Sequence, residues 1–95
     1  MLICGDLARE KYADYRPIDC AAATQNLLLA AHALGLGAVW CGIHPREERK
    51  VAMRSLLALP EGIAPFALVL MGWPAEESDR RDRFDAARIH YNGWS

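Results

Sequence analysis

The chain has 95 residues, 53% hydrophobic and 24% charged, with 11 Lys and Arg against 12 Asp and Glu for a formal net charge of -1. That length holds at most one modest domain, and the composition is that of a globular chain rather than a disordered one. The near-neutral charge gives no electrostatic reason to expect nucleic acid or an anionic membrane as partner, and the apolar runs are too short to span a bilayer.

Leu2-Ile3-Cys4 opens the chain as an apolar, strand-like stretch, followed at once by Gly5-Asp6 and charge, which is not a signal-peptide pattern. Residues 5–16 read as polar and turn-like. Pro17 suits the first position of a helix and Asp19 its first turn, where a carboxylate meets the positive end of the helix dipole. Alanine and leucine, strong helix formers, dominate residues 18–34. The apolar positions (Ala21, Ala22, Ala23, Leu27, Leu28, Leu29, Ala30 and Ala31) wrap most of the circumference, the pattern of a helix buried on several sides. So short a chain offers few neighbours, so the pattern points to a missing layer or a subunit interface.

Gly35-Leu36-Gly37 looks like the start of a phosphate-binding glycine loop, but its place in the chain argues otherwise. Such loops run from strand to helix and set a phosphate at a helix N-terminus. Here the glycines follow a helix and precede a strand, at the negative end of the dipole, with no third glycine and no Lys-Ser or Lys-Thr. Gly35 is expected to cap the helix in a left-handed conformation, and Gly37 to ease the turn into a short buried strand, Ala38-Val39-Trp40-Cys41.

A second helix is expected from His44-Pro45 through about Ala58. Glu47 and Glu48 lie in its first turn, and Val51, Ala52, Leu56 and Leu59 form the apolar face of an amphipathic cover helix. Leu59-Pro60-Glu61-Gly62 is a turn. Residues 63–71 form a strand apolar on both faces, hence central and covered by helices. After Gly72-Trp73-Pro74 the chain turns charged. Arg80, Arg81, Arg83 and Arg88 face Glu76, Glu77, Asp79, Asp82 and Asp85, which by composition alone reads as a solvated cluster. Cys4, Cys20 and Cys41 are odd in number and far apart, fitting reduced thiols of a cytosolic protein. With no CxxC or HExxH, no zinc site is expected. His32, His44 and His90 stand alone, as surface or packing histidines.

Three blocks, "DCAAATQNLLLAAHALGLGAVWCGIHP", "LLALPEGIAPFALVLMGWPAE" and "DRFDAARIHYNGW", resemble the flavin-dependent nitroreductase family in order and spacing, over nearly the whole chain. The resemblance implies an α+β fold of layered sheet and helices. It also implies that residues 1–95 are the C-terminal portion of the domain, because the family's Arg-Ser-x-Arg helix and its Pro-Ser/Gly-x-x-Asn-x-Gln-Pro region have no counterpart here. The cofactor it implies is FMN. Val39, Trp40, Cys41 and Gly42 correspond to the strand end beside the isoalloxazine ring near N5, where a glycine lets the backbone come close. A backbone N–H needs no particular side chain, so Cys41 is expected to be a small packing residue, and no side chain is nominated as catalytic.

Arg81 and Arg83, in "RDRF", sit where the family places a basic pair on the FMN phosphate. Their spacing of two puts both on one side of an extended segment, and the guanidinium fork suits a phosphate. The implied activity passes hydride from NAD(P)H through FMN to a small-molecule acceptor, a nitroaromatic or a quinone. The implied setting is a cytoplasmic homodimer with FMN between subunits and the long apolar helix in the dimer core. The competing expectation is a non-catalytic half-domain, an interaction or assembly module with weak or no flavin binding.

Overall fold

The computed structural model describes residues 1–94. In chain order its elements are β1 (Leu2–Asp6), a 3₁₀ turn (Ala13–Tyr15), α1 (Arg16–Ala33), β2 (Gly37–Gly42), α2 (Glu47–Leu57), β3 (Ile63–Gly72) and a second 3₁₀ turn (Ala86–Arg88). The strands form one antiparallel sheet in the order β1-β3-β2, so β3 is central, as its apolar run requires. Pro65 breaks no ladder there. Ile3 faces Ala67 and Cys4 faces Pro65, so Phe66 has no partner on β1, and the proline sits at a bulge, one of the few places a strand interior tolerates it.

α1 packs against all three strands and buries one face, through Cys20, Thr24 and Ala31, at helical spacing. Ala67 and Val69 of β3 and Ile43 complete the buried apolar set. Thr24 is fully buried, and its hydroxyl donates to the Cys20 carbonyl one turn earlier at 2.7 Å, so the polar atom is satisfied. The helix ends as the glycine predicts. Gly35 has φ +80°; its N–H donates to His32 at 3.0 Å, and the Leu36 N–H reaches back to Ala31 at 2.9 Å. This is a Schellman cap, with Leu36 and Ala31 in the positions whose side chains accompany it.

Four expectations need correction. β1 takes in Gly5 and Asp6, so the polar stretch starts later than composition indicates. β2 is not buried: it is an edge strand, with Val39 52% exposed and Trp40 also on the surface. α2 begins only at Glu47, because His44 and Pro45 form a turn before it. The apolar face expected of α2 is mostly uncovered: Val51, Ala52 and Leu56 are exposed and only Leu59, past the helix end, is half-buried, as are Lys50, Met53 and Arg54.

The many-sided burial expected of α1 is likewise unmet within the chain, since Ile18 (62%), Leu29 and Leu34 (71%) face outward. From Leu70 to Ile89 every residue is exposed. The radius of gyration, 16.8 Å, exceeds the roughly 12 Å of a compact chain this long. The tail therefore does not fold back onto the sheet.

Candidate functional site

The end of β2 holds the first group of nominated residues. Trp40, Cys41 and Gly42 pair with Val69, Leu68 and Ala67 of β3, and the chain then dives inward at buried Ile43. The N–H groups of Ile43 and His44 both donate to the carbonyl of the bulged Phe66, at 3.2 and 2.8 Å. The same bulge presents the Phe66 ring to two neighbours: Trp40 at 6.0 Å, tilted, and His44 at 5.7 Å, stacked. Burial, then the charges of Lys50 and Arg16, hold the His44 imidazole below its ordinary pKa, which favours the neutral ring beside Phe66.

Gly42 closes the strand. A Cβ there would meet nothing within 4 Å, so the absent side chain leaves open space beside the backbone. Its carbonyl accepts a hydrogen bond from Arg49 Nη1 at 2.7 Å. Nearer the start of β2, a shallow trough of about 350 Å³ runs between residues 37–39 and residues 70–74. Its mostly apolar walls suit a flat ring better than a charged group. Cys41 is a half-buried free thiol in this strand. Among the described residues, no group of three or more His, Cys, Asp or Glu is placed to hold a metal ion.

Arg81 and Arg83 are exposed, in a segment without regular structure. Two of the tail's five acids are engaged locally, and no ion pair among the described residues joins any of the five to Arg81 or Arg83: Asp82 accepts the Phe84 N–H at 3.0 Å, and Asp85 accepts the Ala87 N–H at 3.1 Å and the Arg88 guanidinium at 3.3 Å. Both arginines are thus without an acid partner among the described residues, open to an anion from outside. The chain does not bring them to the strand: neither lines the trough or contacts residues 39–42 through any hydrogen bond. The fit to FMN is therefore good in kind, with open space beside a strand-end glycine, apolar and aromatic surface, and two unpaired guanidiniums. The two halves stand apart.

A second concavity escaped sequence reasoning. A cavity of about 450 Å³ lies between β1 and the start of α1, lined by Gly5, Glu10, Tyr12, Tyr15, Arg16 and Cys20 among others. Arg16 and Glu10 pair in it at 2.6 Å, each about three-quarters buried. Burial raises the Cys20 thiol pKa, partly offset by Arg16. Burial likewise raises that of Cys4, with the neighbouring Cys20 adding to it. Nothing in the linear pattern marks Gly5 and Arg16 as neighbours, because their contact is made by the β1–α1 packing.

Comparison with known proteins places the chain in a family. The model of the nitroreductase family matches residues 3–73. A protein of Methanothermobacter thermautotrophicus, provisionally named NADH dehydrogenase/NAD(P)H nitroreductase, is 46% identical over 94 residues, which cover 99% of this chain and 49% of that protein. A crystal structure from Clostridium acetobutylicum, provisionally named NADH oxidase, superposes with TM-score 0.92 at 38% identity, covering 98% of this chain and 57% of the other. A Bacteroides fragilis nitroreductase crystallised with bound FMN superposes with TM-score 0.62 at 27% identity, over 86% of this chain and 46% of that one. The chain thus spans about half the length of these relatives.

Proposed function

Because the chain belongs to the nitroreductase family, we propose that it carries the C-terminal portion of an FMN-dependent NAD(P)H oxidoreductase domain acting on nitroaromatic or quinone-like acceptors. The observation that carries this reading is the end of β2, where Gly42 leaves open space beside an edge strand in a chain whose relatives include a nitroreductase with bound FMN.

FMN, when bound, supplies the redox chemistry, taking hydride from NAD(P)H and passing reducing equivalents to the acceptor. The chain's own part is binding and orientation. The backbone of Val39, Trp40, Cys41 and Gly42 holds the ring, and the missing Cβ at Gly42 permits close approach. The Trp40, Phe66 and His44 rings give that end of the strand an apolar wall that limits water. Arg83, with Arg81, takes the phosphate through charge-assisted hydrogen bonds. Cys41 packs, and no side chain of the chain acts as general acid or base. A second copy covers the outward faces of α1 and brings the tail arginines within reach of a ring, which makes the working unit a homodimer.

The test is purification followed by absorbance and turnover. The reading predicts flavin absorbance bands, or their perturbation on adding FMN, and NAD(P)H oxidation coupled to a nitroaromatic or quinone. A colourless protein that neither perturbs the FMN spectrum nor oxidises NAD(P)H contradicts it, and leaves the non-catalytic assembly module.

A further inference from the structure

We infer that Arg49 is the positioning residue of the flavin-facing strand end, fixing the Gly42 backbone from the free edge of the sheet. The inference rests on the reading above for its flavin half, and on geometry alone for its backbone half.

β2 is an edge strand, so only one of its sides is held by β3. In an antiparallel pair, a residue's N–H and C=O point to the same side, and successive residues alternate sides. Ile43 points inward, since its N–H donates to Phe66 at 3.2 Å. Gly42 must then point outward, and its carbonyl does so, meeting Arg49 Nη1 at 2.7 Å. The Gly42 N–H lies on that same outer side, where β3 offers no acceptor.

Glycine has the freest backbone of any residue, and Gly42 sits with open space where a side chain would be. Without an outer tether, nothing sets its ψ except the Ile43 and His44 anchors that follow. Arg49 provides that tether from the first turns of α2, where the Arg49 and Lys50 N–H groups both donate to the Arg46 carbonyl, at 3.2 and 3.1 Å. The helix start thus fixes the arginine, and the arginine fixes the glycine. A hydrogen bond with a charged donor is roughly twice as strong as a neutral one, which suits an exposed tether. The consequence is an N–H held in one direction, toward the ring acceptor that the family reading sets there.

Two readouts test this. The first needs no flavin: backbone order at Gly42 by NMR relaxation, in the unmodified chain, Arg49→Met and Arg49→Lys. Arg49→Met keeps the bulk and loses the donor; it should drop the Gly42 order parameter from about 0.85 to below about 0.6, with Arg49→Lys between. An unchanged Gly42 in Arg49→Met overturns the inference.

The second readout uses bound flavin. Losing an oriented donor to the oxidised ring's acceptor disfavours the oxidised form, so the midpoint potential should rise in Arg49→Met. A tenfold change in the affinity ratio of the two forms is about 30 mV for two electrons. Loss of a nearby positive charge alone would lower the potential instead. FMN and riboflavin should weaken equally, because the tether serves the ring and not the phosphate. A fall in potential, or weakening confined to FMN, overturns the positioning role. If the unmodified chain takes no flavin, the functional reading and the flavin half of this inference fail together, while Gly42 order still decides whether Arg49 holds the strand end.

Discussion

Arg16 lies across Gly5: a Cβ built on the glycine would stand 2.5 Å from Arg16 Cδ and 2.8 Å from its Cγ. The arginine cannot simply swing aside, because its guanidinium is paired with Glu10 at 2.6 Å and both side chains are largely buried. Overpacking of this kind costs about 1–3 kcal/mol. Gly5→Ala should therefore lower the urea midpoint by that equivalent. Gly5→Ala combined with Arg16→Ala should lose less than the sum of the two single changes, since the clash is removed with the arginine. Strict additivity would show that the contact does not constrain Gly5.

His44 gives the fold a pH dependence of definite sign. Its pKa is lowered by burial, then by Lys50 and Arg16, so the folded state binds the proton less readily than the unfolded chain. The associated stability is fully present above the unfolded value of about 6.5. It declines as pH falls below that, and is gone once pH passes the lowered folded value. His44→Phe can keep a ring beside Phe66 and removes the titration. Between pH 7 and pH 5, its thermal midpoint should fall less than that of the unmodified chain. Parallel curves would contradict the assignment.

Association follows from the faces the fold leaves uncovered. Ile18 and Leu29 of α1, Leu34 at its C-cap, and Val51 and Leu56 of α2 are all more than half exposed, more apolar surface than an isolated domain usually carries. Light scattering should find a dimer or larger species at micromolar concentration. A Leu29→Glu substitution on α1 should shift it toward monomer. A stable monomer that binds no hydrophobic dye would contradict the expectation.

Much of this was legible in the sequence where the signal is local. Gly35 after an Ala/Leu run can hardly be anything but a helix cap, and the run at residues 63–71 is too uniformly apolar for an edge. What was not legible depends on which layers are present. The spacing of Val51, Ala52 and Leu56 describes an apolar face truly, but periodicity cannot say what lies opposite it, and the described residues leave all three exposed. Val39 and Trp40 read as buried for the same reason: strand order, not composition, puts β2 at the edge. The tether from Arg49 to Gly42 was invisible because it spans a turn whose shape no pattern announces. At the candidate site, the strand end was nominated by family likeness, whereas the open space at Gly42 and the unpaired state of Arg81 and Arg83 came only with the structure.

If backbone groups hold the ring as proposed, Cys41 is only a packing residue. Cys41→Ala in a flavin-loaded, active form should keep most of the turnover. A loss in kcat of more than about a hundredfold with FMN retained, roughly 2.7 kcal/mol of barrier, would make the thiol chemical.

The most direct test is the affinity of FMN and riboflavin for Arg83→Ala. A hydrogen bond to a charged group is worth about 1.5–3 kcal/mol, so an arginine on the phosphate should cost about ten- to a hundredfold in FMN affinity when truncated. Riboflavin, lacking the phosphate, should bind as before. Arg80→Ala, beside the pair but outside its alternation, is the control and should be near neutral for both ligands. The expected result is a loss confined to Arg83→Ala and to FMN. Equal, small effects on FMN and riboflavin would contradict it and leave the tail a charged surface with no part in holding the cofactor.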